Sequence, residues 1–252
     1  MIIRTIFTIT LFIGLMGFIV SETNAQEGDL AMLYEMEVKT GSGPEFEQAL
    51  AEHARWRTEQ GDPWAWEVYQ VAVGDNLGTY YARAPERSWA DFDAYDADFG
   101  PRAGDHFNQT VGPHIRSITN LITRIHSDAM RVPEEPVEFQ IFSVYLYRIK
   151  AGMAQQFWGT VEQIHEAINQ ADHPVHYAFH SVAAGGSGME VHLVTLHQNW
   201  ADMEEPEPSL MQVVQNAYGE EEAAELFNRF SDTVSSIDNM VLRYRPDLSV
   251  NQ

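Results

Sequence analysis

Histidines concentrate in the second half of the chain, in a pattern suited to proton transfer or metal binding. Six of the ten histidines follow residue 138, and three of them, His176, His180 and His192, lie in aromatic and β-branched runs typical of strands. Histidine titrates near neutral pH and is a frequent general base. We therefore take His176 and His192 as the candidate catalytic residues.

A metal site is an alternative for the same residues. His176 and His180 share a strand face but lie about 13 Å apart at the rise of a strand, which is too far for one ion. His192 with Glu190 or a glutamate of the first half could complete a Zn, Fe or Cu site, yet the sequence has no HExxH-type spacing. The chain has no cysteine, which excludes thiolate ligands and disulfides. We expect a site without a metal.

The predicted strands and helices that carry these residues occur twice in the chain. A shift of 111 residues places Tyr34 on Tyr145, and it aligns the segments "YEMEVKTG" and "YLYRIKAG", which contain the only two lysines. After an insertion the shift becomes 119, and "SITNLITR" matches "SIDNMVLR". The repetition predicts one unit over residues 30–126, a second over 139–247, and between them a linker over 127–138, "SDAMRVPEEPVE".

Each unit has the predicted order β-α-β-β-α-β, which is a ferredoxin-like α+β fold. Gly185 and Gly186 suit a hairpin turn, and Ser88 and Asn199 suit the N-caps of the second helices. Helices cover only one face of such a sheet. The bare face must pack on the second copy, so two fused units should form an eight-stranded α/β barrel within one chain.

Strand alternation directs one polar set of side chains into this barrel. Besides the two candidate catalytic histidines, the predicted substrate-binding residues are Glu35, Glu37, Glu67, Tyr69, Tyr81, Arg83, Arg148, His180 and Glu190. Because burying unpaired charge is costly, this lining predicts a ligand cavity or, alternatively, an internal ion-pair network.

The order of strand, Lys-x-Gly, helix with an early Phe, hairpin and Trp-containing second helix resembles the dimeric α/β-barrel superfamily, especially its NIPSNAP-like and EthD-like branches. The resemblance implies a small-molecule-binding protein or a cofactor-independent oxygenase- or isomerase-type enzyme. A second implication is haem, for which His165 is the candidate ligand by position; a third is a non-catalytic structural or binding module. An aromatic pocket for a phenol-like substrate would draw on Trp64, Trp66, Tyr69, Tyr80, Tyr81, Trp158 and Phe179.

Charge and the N-terminal pattern limit the partners. Residues 1–25 combine Arg4, an apolar run and the small residues of "TNA", which predict a cleaved signal peptide and a periplasmic or secreted protein. The formal net charge of −22 disfavours nucleic acid and anionic membranes as partners. The expected partner is a small-molecule ligand, and the sequence leaves the oligomeric state open.

Overall fold

The computed structural model describes residues 28–133 and 137–250. The predicted signal peptide lies outside these residues, as do three residues of the predicted linker. No helix among the described residues is long and apolar enough to cross a membrane.

The first repeat contains four strands and three helices. Its elements are β1 (Leu30–Val38), α1 (Gly43–Glu59), β2 (Glu67–Val73), β3 (Thr79–Arg87), α2 (Trp89–Ala97), α3 (Phe99–Thr110) and β4 (Ile115–Arg131). Phe46 of α1 is fully buried against the sheet, where its ring meets Tyr80. Ser88 caps α2 and forms a capping box with Asp91, as its position before "WAD" predicts.

The second repeat has the same order. Its elements are β5 (Ile141–Ile149), α4 (Ala154–Gln170), β6 (Tyr177–Ala184), β7 (Glu190–His197), α5 (Leu210–Tyr218), α6 (Glu220–Thr233) and β8 (Val234–Tyr244). The bounds of α1 and α4 differ by the predicted 111 residues, and the starts of β4 and β8 by the predicted 119. Phe157 takes the place of Phe46 in a second buried core.

Two sequence-based boundaries need correction. Asn199 does not cap an α-helix: its side chain accepts from the amides of Ala201 and Asp202 in a 3-10 turn, and α5 begins at Leu210 behind a Ser209 capping box. The predicted start of the linker is also too early, because β4 continues through Arg131 by pairing with β6 as far as Tyr177.

The eight strands close into one barrel in the order β1-β3-β2-β8-β5-β7-β6-β4. Each repeat contributes the ferredoxin-like order β4-β1-β3-β2 or β8-β5-β7-β6. Two seams, β2 with β8 and β4 with β6, join the repeats. The fold is therefore the predicted α+β fold, in which two ferredoxin-like units form an α/β barrel within one chain.

Candidate functional site

The barrel encloses a cavity of about 800 Å³. Side chains of both repeats line it, and the chain on either side of the undescribed residues 134–136, at Val132 and Val137 to Gln140, lines one end. Eight predicted interior residues line the cavity, and these are Glu35, Glu67, Tyr69, Tyr81, Arg83, His180, Glu190 and His192.

Strand register arranges these residues in rows across each sheet. In the first repeat Tyr69 pairs with Tyr81, and Tyr81 pairs with Glu35. The equivalent row of the second repeat is His180, His192 and Leu146, each 111 residues further along. Duplication thus sets two histidines and a leucine at the level of two tyrosines and a glutamate, so the two walls of the site differ chemically.

The next row separates a charged wall from an apolar wall. The first repeat places Glu67, Arg83 and Leu33 there, and the second places Ala178, Val194 and Val144. Arg83 donates to the Glu67 carboxylate at 2.9 Å, and the Tyr69 hydroxyl donates to the same oxygen at 3.0 Å. Below this row Phe142, Leu196 and Leu242 continue the apolar lining.

A carboxylate and an imidazole form a second polar pair. His192 Nε2 lies 2.8 Å from Glu190 Oε1. Because a carboxylate only accepts hydrogen bonds, a neutral His192 carries its proton on Nε2, and its Nδ1 is an acceptor without a partner among the described residues. The hydrogen bond from His192 lowers the pKa of Glu190. This geometry suits His192 to act as a general base oriented by Glu190.

His180 faces the cavity without a hydrogen bond to any described residue. Its direct ladder partner is His192. Burial, reinforced by the positive charge of Arg83, lowers the pKa of His180 well below its ordinary value. The imidazole is therefore neutral near pH 7 and offers one donor and one acceptor to a bound molecule.

Three predicted site residues lie outside the cavity lining because they stand at or beyond the strand ends. Glu37 forms an ion pair with Arg116 and accepts from Ser117 at the barrel rim. Arg148 is 54% exposed and reaches the Glu190 carboxylate at 3.4 Å. His176 precedes β6, so strand alternation does not extend to it, and its ring lies 5.6 Å from that of Phe139. The structure thus places only one of the two candidate catalytic histidines, His192, at the cavity.

Most of the predicted aromatic pocket belongs to the helix-side core instead. Trp64, Trp66, Tyr80 and Phe179 are buried in the two main cores, and Trp158 packs beside the second. Only Tyr69 and Tyr81 line the cavity. The sequence-based prediction did not include the apolar half of the lining. The apolar residues at every second position of β5, Phe142, Val144 and Leu146, could have indicated it.

The residues do not fit the alternative metal and haem sites. Among residues 28–133 and 137–250 no three His, Asp or Glu side chains converge as metal ligands. His165 Nδ1 is bonded to the Tyr177 hydroxyl at 2.7 Å, and Nε2 to the Asn169 amide at 2.8 Å. Neither ring nitrogen of His165 is free for haem iron.

Comparisons with known proteins establish the fold. No protein-family model matches the sequence, and no curated protein matches it significantly. A candidate monooxygenase from Lactobacillus acidophilus matches with a TM-score of 0.55 and 12% identity, over 88% of this chain and 96% of that one. A candidate monooxygenase from Fusobacterium nucleatum matches with a TM-score of 0.58 and 10% identity, over 88% of this chain and 94% of that one.

A third similar structure is the chlorite dismutase of Candidatus Nitrospira defluvii in complex with imidazole. It has a TM-score of 0.53 and 10% identity, over 88% of this chain and 93% of that chain. In each of these three comparisons a single chain spans both repeats. The likeness is therefore one of fold: an eight-stranded α/β barrel completed within one polypeptide.

Proposed function

We propose that the barrel interior binds a small, mainly apolar molecule and acts on it as a cofactor-independent oxygenase- or isomerase-type enzyme. The observation that carries this proposal is the cavity of about 800 Å³ in which an apolar half meets polar groups from both repeats. Ligand sites in proteins are commonly cavities of this size with a few convergent polar groups. The fold shared with the two candidate monooxygenases supports an oxygenase-type reaction.

The chemistry would begin with removal of a proton from an acidic O–H or C–H bond of the ligand. His192 Nδ1 is the acceptor, and Glu190 stabilises the resulting imidazolium through its 2.8 Å hydrogen bond. His180 and Tyr81 offer donors to the ligand anion. An isomerase returns the proton to a different atom. An oxygenase would use dioxygen as the oxidant: both C–H bonds of a CH₂ group break, one oxygen atom becomes the oxygen of a new C=O group, and the other leaves as water with the two hydrogens.

A non-catalytic binding module is the second candidate function. The ion pair between Arg83 and Glu67 and the Glu190–His192 pair would in that case only stabilise the barrel. The half-buried ring of His180 favours ligand binding over a purely structural lining, because it faces the cavity and its donor and acceptor have no partner among the described residues.

A thermal-shift screen with phenols and hydroxyquinones tests binding, and turnover of each hit under air and under nitrogen tests catalysis. We expect His192→Ala to reduce turnover about 100-fold or more, the size of effect typical of a general base. The ligand should still raise the melting temperature of this variant. His114→Ala is the control, because its side chain is outside the cavity lining. Unchanged turnover in His192→Ala would overturn the assignment of His192 as the base. Binding without turnover in the unsubstituted protein would favour the non-catalytic module.

We further propose that the mature protein begins near Gln26 and acts outside the cytoplasm. We also propose that its barrel is of the NIPSNAP-like or EthD-like type. The pattern of residues 1–25 supports export, and the Lys-x-Gly segments support the family placement. The intact mass of protein recovered from culture medium or periplasm checks this. A cytoplasmic protein that retains Met1 would contradict it.

A further inference from the structure

Among the described residues, Glu35 is the one carboxylate inside the barrel without a hydrogen bond or ion pair. Glu67 is held by Arg83 and Tyr69, and Glu190 by His192 and Arg148. Glu138, the last residue of the predicted linker, is exposed at one end of the cavity. Glu35 instead lies within the barrel, opposite Tyr81 on β3 and Thr119 on β4.

No described cation pairs with Glu35 itself, although its two carboxylate neighbours have cations of their own: Glu37 pairs with Arg116, and Glu190 with Arg148. Burial raises the pKa of Glu35, and the carboxylates of Glu37 on β1 and Glu190 on β7 raise it further. Of the other titratable groups that face this region, Tyr81 is neutral and Arg83 already pairs with Glu67. His180 is neutral, and His192 is engaged with Glu190.

Glu35 is half-buried, and a carboxylate partly removed from water is stabilised by a cation, so a cationic ligand would be the natural complement of this site. An ammonium group beside Glu35 would also lie near the rings of Tyr69 and Tyr81, whose faces attract cations. Leu33 lies one row away on β1, and the apolar wall of Ala178, Val194 and Val144 occupies the equivalent row of the second repeat. The site therefore combines a negative, aromatic end with an apolar body.

We infer that the cavity selects an apolar molecule with a protonated amine, that Glu35 forms the ion pair with the ammonium group, and that anionic molecules are excluded. This inference rests on the proposed function, since it names the ligand class of the same cavity. Phenols that also carry an amine meet the requirements of both Glu35 and His192. The ammonium group would lie at Glu35, and the acidic hydroxyl would be available to His192.

Three ligands with one apolar body separate the inference from the proposed function: naphthylethylamine, naphthylethanol and naphthylacetate. Isothermal titration near pH 7 and low salt should rank the amine tightest, about tenfold or more above the alcohol, with no detectable binding of the acid. Equal affinity of the three would overturn the inference and leave the proposed cavity binding intact. Absence of binding by all three would count against both.

Glu35→Gln and Glu37→Gln form a matched pair, because each removes one negative charge and only the first lines the cavity. Glu35→Gln should reduce the amine affinity to that of the alcohol and leave the alcohol affinity unchanged. Glu37→Gln should preserve the preference for the amine. Equal losses in both variants would show that general charge, and not Glu35, selects the cation.

The pH dependence of the unsubstituted protein gives a check that does not depend on the folding of a variant. Affinity for the amine should fall as pH decreases through the raised pKa of Glu35, because the neutral carboxyl no longer forms an ion pair. Affinity for the alcohol should change little over the same range. A parallel decline for both ligands would contradict the assignment.

Discussion

His53 shows how strongly a few neighbours fix the state of one side chain. It lies buried between α1 and α3, where Arg57 Nε donates to its Nε2 at 2.8 Å. The proton of a neutral His53 must then sit on Nδ1, which donates to Nδ1 of His106 at 2.8 Å. Burial, with the positive charge of Arg57, lowers the pKa of His53 to about 3. A protonated His53 would lose its bond from Arg57.

The protein should consequently lose stability as pH falls below about 6.5, the usual value for unfolded histidine. Between that pH and about 3, the unfolded state binds one more proton at this position than the folded state. The free energy of unfolding should fall by up to about 1.4 kcal/mol per pH unit from this group. Urea denaturation at several pH values between 4 and 7 measures the free energy of unfolding. This free energy should depend less on pH in His53→Gln than in His114→Gln. Identical slopes would contradict the assignment.

At the residue scale, alternation along the strands was enough to predict eight of the cavity-lining residues. It failed for Glu37, Arg148 and His176, because a period of two carries no information about where a strand leaves the barrel wall. It also could not predict which side chains would pair. The pairing of Glu190 with His192 is local to β7, where the two residues lie two positions apart. The isolation of Glu35 depends on which side chains of the neighbouring strands and of the other repeat face it.

At the element scale, the turn between β6 and β7 is constrained by its glycines. Gly185 has φ +76°, a conformation that side chains rarely adopt, and a Cβ there would lie 2.7 Å from the Asn120 carbonyl oxygen. The same turn thus fixes both the hairpin and its approach to β4 across the seam. The pair of glycines in the sequence predicted the turn, but not its contact with β4.

Gly185→Ala should therefore destabilise the protein by about 1–3 kcal/mol, because it combines an unfavourable φ with a backbone clash. Gly188→Ala is the matched control in the same turn, since its added Cβ would meet no atom within 4 Å. Guanidinium denaturation of both variants measures the difference. A loss of equal size in the two variants would show that turn flexibility, and not the contact with Asn120, is responsible.

The repeats diverge most in the segment after the third strand, and here the sequence was least informative. In the first repeat α2 comes directly after β3, behind the Ser88 cap. In the second, Ala201–Met203, which begin within the matching motif, form a 3-10 turn, and α5 begins only at Leu210. The matching "WAD" motifs therefore start different structures, because the local turn depends on the residues after the motif and on the added chain length.

At the scale of the whole molecule, each repeat completes the other. The open sides of each four-stranded sheet are closed by the seams β2–β8 and β4–β6, and the faces opposite the helices enclose the cavity together. A single repeat would expose two strand edges and one sheet face to water, which favours association with another sheet. The sequence predicted this arrangement well because the duplication itself implied it.

The first repeat expressed alone, as residues 28–133, should therefore form a homodimer in which β2 pairs with β4 of the second copy. Light scattering after size-exclusion chromatography measures the mass, and the full-length chain is the comparison. A stable monomer of the isolated repeat at micromolar concentration would contradict the interdependence of the two sheets.

The different lining of the two walls has a consequence for recognition. A barrel built from two identical units would have a two-fold axis and would offer the same surroundings to a ligand in either of two orientations. Here Glu35 and Tyr81 correspond to Leu146 and His192, so rotation by half a turn exchanges unlike environments. One chain should hold one molecule in one orientation, and its chiral walls can distinguish the mirror images of that molecule.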